Sequence, residues 1–206
     1  LLKYQKNFIK DRNKFLIVKK SRQIGMSFAV ALKSLIYAYT VGFDVLLLSP
    51  TRQQSQRLTR YVRLFNNILV EKFGNIYKFR KDNEQELITN RIEKGKVVGE
   101  GSHITILAAN ESNVRGANGM VIIDEAVWVN NLNVIYSALL PSISTSPDCC
   151  IILISSVGTK EGLFYDIDDG KSEQYPDFKR LAITVDEAKE QGHPVDSELI
   201  KRNMDS

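Results

Sequence analysis

Histidine and cysteine are scarce in this chain of 206 residues, with two of each. His103 opens an apolar stretch and His193 precedes Pro194; they lie too far apart in sequence to suggest a metal site, and both are expected to be structural. Cys149 and Cys150 are adjacent and have no further cysteines with which to complete a zinc centre, so buried, reduced thiols and an intracellular compartment are the expectation. No run of about 18 apolar residues and no signal-peptide pattern occurs, which argues against a membrane span and for a soluble protein. Internal repeats and low-complexity stretches are also missing. A strong charge of either sign is absent: 28 Lys plus Arg against 24 Asp plus Glu leave +4 and a pI of about 9.0. That balance is compatible with contact to a polyanion and too small to demonstrate one.

What is present is an alternation of strand and helix patterns. At 43% hydrophobic, the chain suffices for one substantial α/β core. Apolar runs predict strands at 14–19, 44–49, 103–108, 119–123 and 149–156, with helices at 27–41, 52–72 and 131–139. Strand followed by helix, repeated, argues for a mostly parallel sheet with helices on both faces and ligands at the strand C-terminal ends. Between Lys78 and Ser102 the sequence is polar, with only Glu86-Leu87-Ile88-Thr89 strand-like, which predicts a hairpin or excursion at the sheet edge. After Thr159 a short helix from Leu163, an edge strand over 178–185 and a charged helix over 186–206 are expected as a small lid.

Strand Phe15 to Val18 runs into Lys20-Ser21-Arg22-Gln23-Ile24-Gly25-Met26-Ser27, then into an apolar helix. Backbone N–H groups of such a turn and the first turn of the helix cradle a phosphate anion. Gly25 gives the turn its freedom, and Ser27 sits where the pattern G-x-x-x-x-G-K-[ST] places a magnesium-binding hydroxyl. The pattern is broken twice, because Lys20 replaces the first glycine and Met26 replaces the phosphate-neutralising lysine. The cation is therefore expected to have moved, to Lys20 first and Arg22 second. An ordinary turn with a helix cap would read the same way on this segment alone.

A second strand, Met120 to Ile123, ends in Asp124-Glu125. Asp124 is placed to hold magnesium, and Glu125 to orient and deprotonate an attacking water, so ATP and Mg2+ are the expected ligands. The plain alternative is a solvated turn. The polar loop Asn110 to Gly119 before this strand presents Arg115, which could enter a neighbouring subunit's site or pair with Glu111 or Asp124. Farther back, Arg52, Arg57, Arg60 and Arg63 fall on one side of a helix whose other side carries Leu58, Tyr61, Val62, Phe65 and Leu69. No acid lies between Asp44 and Glu71 to pair with them, so contact with nucleic acid or a partner subunit is expected.

With these segments in view, residues 3–160 resemble the ATPase domain of the large terminase subunit, the motor that packages DNA into viral capsids. Tyr4-Gln5 resembles that family's adenine-contacting glutamine, and Ser21-Arg22-Gln23-Ile24-Gly25 its arginine-containing Walker A loop. Asn113 to Gly116 resembles the Arg-Gly element before Walker B, and Asp124-Glu125 the Walker B pair itself. Ser155-Ser156-Val157-Gly158-Thr159 resembles the coupling motif, in which Ser155, Ser156, Gly158 and Thr159 would sense the γ-phosphate.

The resemblance implies a RecA-like P-loop NTPase fold of the ASCE class over 1–160 and a lid or linker over 161–206 leading toward a nuclease domain. No second strand-borne carboxylate cluster follows Asp169, so the chain reads as a fragment without nuclease activity. The resemblance also implies double-stranded DNA, a portal protein and a small terminase subunit as partners, in the host cytoplasm. A homo-oligomeric ring is expected when assembled, and a monomer is allowed for the isolated chain. Two other readings stay open: a helicase-like ATPase, from Ser49-Pro50-Thr51 followed by glutamines, and a nucleotide-binding module without turnover, from Met26.

Overall fold

A computed structural model describes residues 1–114, 117–156, 158, 160–170 and 174–194. Its strands are β1 (Phe15–Lys20), β2 (Val45–Ser49), β3 (Lys81–Asp82), β4 (Glu86–Glu93), β5 (Lys96–Ala108), β6 (Met120–Asp124), β7 (Cys150–Ser156) and β8 (Lys179–Ile183). Its α-helices are α1 (Lys3–Lys10), α2 (Met26–Thr40), α3 (Arg52–Phe73), α4 (Leu132–Ser144), α5 (Leu163–Asp169) and α6 (Val185–Glu190). The strands form one eight-stranded sheet in the order β3-β4-β5-β2-β6-β7-β1-β8. Every neighbouring pair from β5 to β8 is parallel, whereas β3-β4 and β4-β5 are antiparallel.

The continuous apolar runs are explained by burial on both faces of the sheet. Leu16 and Val18 of β1, Val45 and Leu47 of β2, and Ile152 and Ile154 of β7 join one apolar cluster with α1, α2 and α3. Their alternates Ile17, Leu46, Leu48, Ile151 and Leu153 join a second with α4 and α5. Each strand thus feeds two cores with period two.

The polar segment after α3 is the expected edge excursion, and it is longer than its sequence suggests. β4 and β5 meet at Lys94-Gly95, both with positive φ (50° and 74°), which is the two-residue turn that matches strand twist. β5 therefore begins at Lys96 and not near His103. α4 runs through Pro141 to Ser144, beyond the expected end at 139, because Leu139 and Ile143 anchor its last turns in the second core. The charged helix expected over 186–206 is cut short: α6 ends at Glu190, and Gly192 (φ +90°) turns the chain away. Residues 195–206 lie outside the described set.

The boundary expected near residue 160 falls between β7 and α5, but the chain beyond it rejoins the same sheet. β8 pairs in parallel with β1, Leu163, Phe164 and Ile167 fill the second core, and Ala188 the first. The described part of this segment packs as a flank of the core. Cys149 and Cys150 are buried free thiols, as expected, and burial pushes the Cys150 thiol up to about 11. No helix among the described residues is long and apolar enough to cross a membrane.

His103 is structural and responsive to pH. Its Nδ1 lies 2.9 Å from Glu86 and its Nε2 3.1 Å from Glu100. Its hydrogen bond to Glu86 leads in raising the imidazole above its ordinary value of 6.5, and Glu86 is lowered below 4.5, chiefly by its bond to Lys81 and then by that to His103. The imidazolium's contribution to stability is complete below about pH 6.5 and disappears as pH rises through the folded value; the carboxylate's is complete above about pH 4.5 and disappears as pH falls. Both act together between those limits. An NMR titration should place the His103 midpoint above 6.5, and Glu86→Gln should bring it down; an unmoved midpoint would deny the coupling.

Candidate active site

The parallel strands end along one edge of the sheet, and the turns that follow them converge there. β1 opens into a turn in which Gln23 (φ 60°) and Gly25 (φ 73°) adopt left-handed conformations before α2 begins at Met26. Glycine is required at 25 because a Cβ would also approach the Gln5 amide nitrogen to 2.9 Å. Successive backbone groups in such a turn make a concave anion seat at a helix N-terminus.

β7 lies between β1 and β6, so the phosphate turn and the acid pair sit two strands apart, roughly 10 Å between backbones. Two side-chain pairs close that gap. Lys20 Nζ reaches Glu125 Oε1 at 2.6 Å, with the lysine side chain 6% and the glutamate 22% exposed. Ser27 Oγ donates to Asp124 Oδ2 at 2.7 Å. Burial pushes the Asp124 carboxyl up, while the Ser27 hydrogen bond and the nearby Lys20 charge pull it down. A serine hydroxyl touching a carboxylate is a hard oxygen pair of the kind that holds Mg2+ together with substrate phosphates, so the residues present fit that ion.

Glu125 itself is held in a left-handed conformation (φ 54°), which for a residue with a Cβ costs on the order of 1–3 kcal/mol. Neighbouring strands fix it there. Ser156 Oγ donates to Glu125 Oε2 at 3.3 Å, and Ser155 Oγ accepts from Val127 N at 3.2 Å in the turn just after the acid pair. Gly158 continues this contact, since a Cβ there would lie 2.2 Å from Val127 Cγ1. The expected coupling serines therefore touch the turn that carries the acid pair; Thr159, like Arg115, lies outside the described residues.

A cleft of about 470 Å³ opens above these groups. Lys20, Arg22, Gln23, Ile24, Gly25, Met26 and Ser27 line it from the phosphate turn, and Glu125 and Ser156 from the neighbouring strands. Met26 is only 2% exposed, because its thioether packs in the first apolar cluster. The position that usually carries the cation is thus a core position here.

Not every expected residue lines the cleft. Gln5 is off its lining: its Nε2 donates to Gly25 O at 3.1 Å and so braces the phosphate turn, while its Oε1 accepts from Leu2 N at 2.9 Å at the start of α1. Ser21 is also off the cleft, its N–H bonded to Ile183 O of β8. The arginine face of α3 is divided. Arg52 pairs with Glu84 at 2.7 Å and Arg63 with Asp82 at 2.6 Å, acids supplied by the edge excursion and invisible within the helix itself. Arg60 lies near Glu84 in a separate groove, and Arg57 lines the cleft above the phosphate turn. Ser49 and Thr51 are likewise accounted for locally: Thr51 Oγ1 caps α3 by accepting from Gln54 N, and Ser49 Oγ meets Ser55 Oγ at 2.8 Å.

Sequence reasoning missed several residues. Phe28, Gln54, Tyr61 and Trp128 also line the cleft; the spacing of 54, 57 and 61 on one helix face was the available signal. Nothing local announces His193, whose Nε2 meets Gln23 O at 2.8 Å, or Gln191, whose Oε1 accepts from Tyr4 N at 2.7 Å. Together with Tyr4, whose hydroxyl donates to Ile24 O at 2.5 Å, they strap the phosphate turn from outside.

Comparison with known proteins bears on the family and the fold. Residues 17–205 match the family model described as the N-terminal part of the T4likevirus-type terminase large subunit. The Mu-like prophage FluMu protein gp28 of Haemophilus influenzae is 25% identical over 197 residues, 93% of this chain and 38% of its own length. The probable terminase large subunit gp28 of Escherichia phage Mu is 24% identical over 195 residues, 91% of this chain and 34% of its own. The chain thus spans little more than a third of the curated relatives it matches. The ATPase domain of the Thermus phage P74-26 large terminase superposes with a TM-score of 0.73 at 19% identity, covering 98% of this chain and 85% of that one. The fold is accordingly RecA-like, and the chain belongs to the terminase large-subunit family, whose N-terminal part it matches.

Proposed function

We propose that this chain is the ATP-hydrolysing motor domain that drives double-stranded DNA into a viral procapsid in the host cytoplasm, together with a portal protein and a small terminase subunit. The observation that carries the chemistry is the pair of bridges from the phosphate turn to the acid pair, Lys20 to Glu125 and Ser27 to Asp124. Ser27 and Asp124 would hold Mg2+, which supplies charge neutralisation between the phosphates when bound. Lys20 and Arg22 replace the cation that Met26 cannot provide, and Glu125 accepts a proton from water. Ser156, bonded to Glu125, and Ser155, bonded to the turn after it, would carry the state of that carboxylate into β7, which is a route from phosphate loss to movement. Arg115 is assigned to a neighbour's site in a ring, and Arg60 to DNA or a subunit.

Phosphate release by the purified full chain, measured with Mg2+ and with and without double-stranded DNA, tests this reading. Wild type is expected to turn over ATP faster with duplex present, and Asp124→Asn to lose at least about tenfold of the rate. Unwinding of a duplex would favour the helicase-like alternative. Nucleotide binding with no release above the Asp124→Asn background would favour a module without turnover.

A further inference from the structure

Arg57 is set apart from the other arginines of α3. It lines the nucleotide cleft from the wall facing the phosphate turn, on the same helix face as Gln54 and Tyr61. It is exposed and makes no ion pair or hydrogen bond with a described residue, whereas Arg52 and Arg63 are spent on Glu84 and Asp82. Its helix is fixed in place. Thr51 caps the first turn, Ser55 is bound to Ser49, and Phe28 of α2 meets Tyr61 edge-on at 5.5 Å and Phe65 at 4.4 Å.

Topology then decides which phosphate such a side chain can reach. The strand order β2-β6-β7-β1 puts the phosphate turn, after β1, at one end of the site and the start of α3, after β2, at the other, with the acid pair between them. A polyphosphate seated in the turn and extending toward Asp124 and Glu125 would carry its terminal group toward the β2 side of the site, where α3 begins. Among the described residues that line the cleft, Met26 is buried in the core, Lys20 is engaged with Glu125 and Arg22 belongs to the phosphate turn itself, so Arg57 is the cation carried by the α3 wall.

We propose that Arg57 contacts the γ-phosphate in cis and makes the site discriminate a nucleoside triphosphate from a diphosphate. The inference rests on the ATPase reading above. A guanidinium carried on a fixed helix and facing a fully charged terminal phosphate makes a charge-assisted, bidentate contact that a diphosphate cannot return.

The test is equilibrium binding of AMP-PNP and of ADP, each with Mg2+, to the full chain carrying Arg57→Ala, Arg57→Lys or, on the β4–β5 hairpin away from the cleft, Arg91→Ala. Arg57→Ala should weaken AMP-PNP by about tenfold to a hundredfold and leave ADP within about twofold. Arg57→Lys should recover part of the loss, and Arg91→Ala should bind both nucleotides as wild type does. Equal weakening of both nucleotides by Arg57→Ala would overturn the proposal, since it would indicate damage to the cleft as a whole. Unchanged binding of both, with DNA affinity lost instead, would overturn it in favour of a nucleic-acid contact. A wild type that binds neither nucleotide would remove the ATPase reading, and this inference with it.

Discussion

Glu125→Gln is expected to stop ATP turnover while sparing nucleotide binding. The substitution keeps the shape of the side chain and its reach to Lys20 and Ser156, now 2.6 and 3.3 Å away, and removes only the capacity to take a proton from water. General-base catalysis of this kind contributes about 10² to 10⁴ in rate, so phosphate release should fall by that factor under conditions where wild type turns over. Binding of a fluorescent ATP analogue should remain within a few-fold. Release within threefold or so of wild type would mean that the base lies elsewhere. The variant also carries a structural cost, because Lys20, with its side chain 6% exposed, is left facing a neutral amide. Removing one charge of a buried pair costs about 3–5 kcal/mol, and the part-exposure of Glu125 reduces that figure here. Bound nucleotide should offset the loss by giving Lys20 a phosphate to face.

Lys20→Met is expected to be equally damaging to turnover, through a different route. The charge lost is the one that the phosphate turn needs, so ATP affinity should fall about tenfold to a hundredfold along with the rate. Glu125, 22% exposed, can return to solvent when its partner is gone, so the fold should tolerate this change better than the reverse one. The decisive comparison is the double variant with Met26→Lys. Met26 begins α2 beside the cleft, and a lysine of similar length there can bury its stem in the first core while its ammonium rises toward the phosphates. If the cation has moved from position 26 to position 20, Met26→Lys restores much of the ATP affinity lost with Lys20. Wild-type affinity in Lys20→Met would sink the relocation idea; a double variant no better than the single one would show that geometry, and not charge alone, is what Lys20 supplies.

Much of the fold was legible because its causes are local. β1, β2, β6 and β7 stand out as unbroken apolar runs, a consequence of being covered on both faces, and α2 and α3 were read to within a residue or so of their ends. β5 was cut short because its first half belongs to a polar hairpin whose identity rests on the turn at Lys94-Gly95 and on pairing with β4. The site was half legible. Gly25, Ser27, Asp124 and Glu125 follow from a strand, a turn and an acid pair in their expected contexts. The partners of the α3 arginines were not legible, since Glu84 and Asp82 come from another element, and neither was the bond from the Gln5 amide to Gly25 O, which joins segments twenty residues apart.

The sequence by itself determined the strands, the phosphate turn and the identity of the groups able to hold a nucleotide, because backbone preference and burial period act over a few residues. Only the tertiary structure decided which of those groups meet. Insertion of β7 between β1 and β6 makes Lys20 and Glu125 partners across a gap that neither segment can specify, and the descent of α3 from β2 turns Arg57, alone among the arginines of that helix, toward the cleft. Such distances depend on strand order, which is set by the packing of the whole sheet and not by any stretch of it.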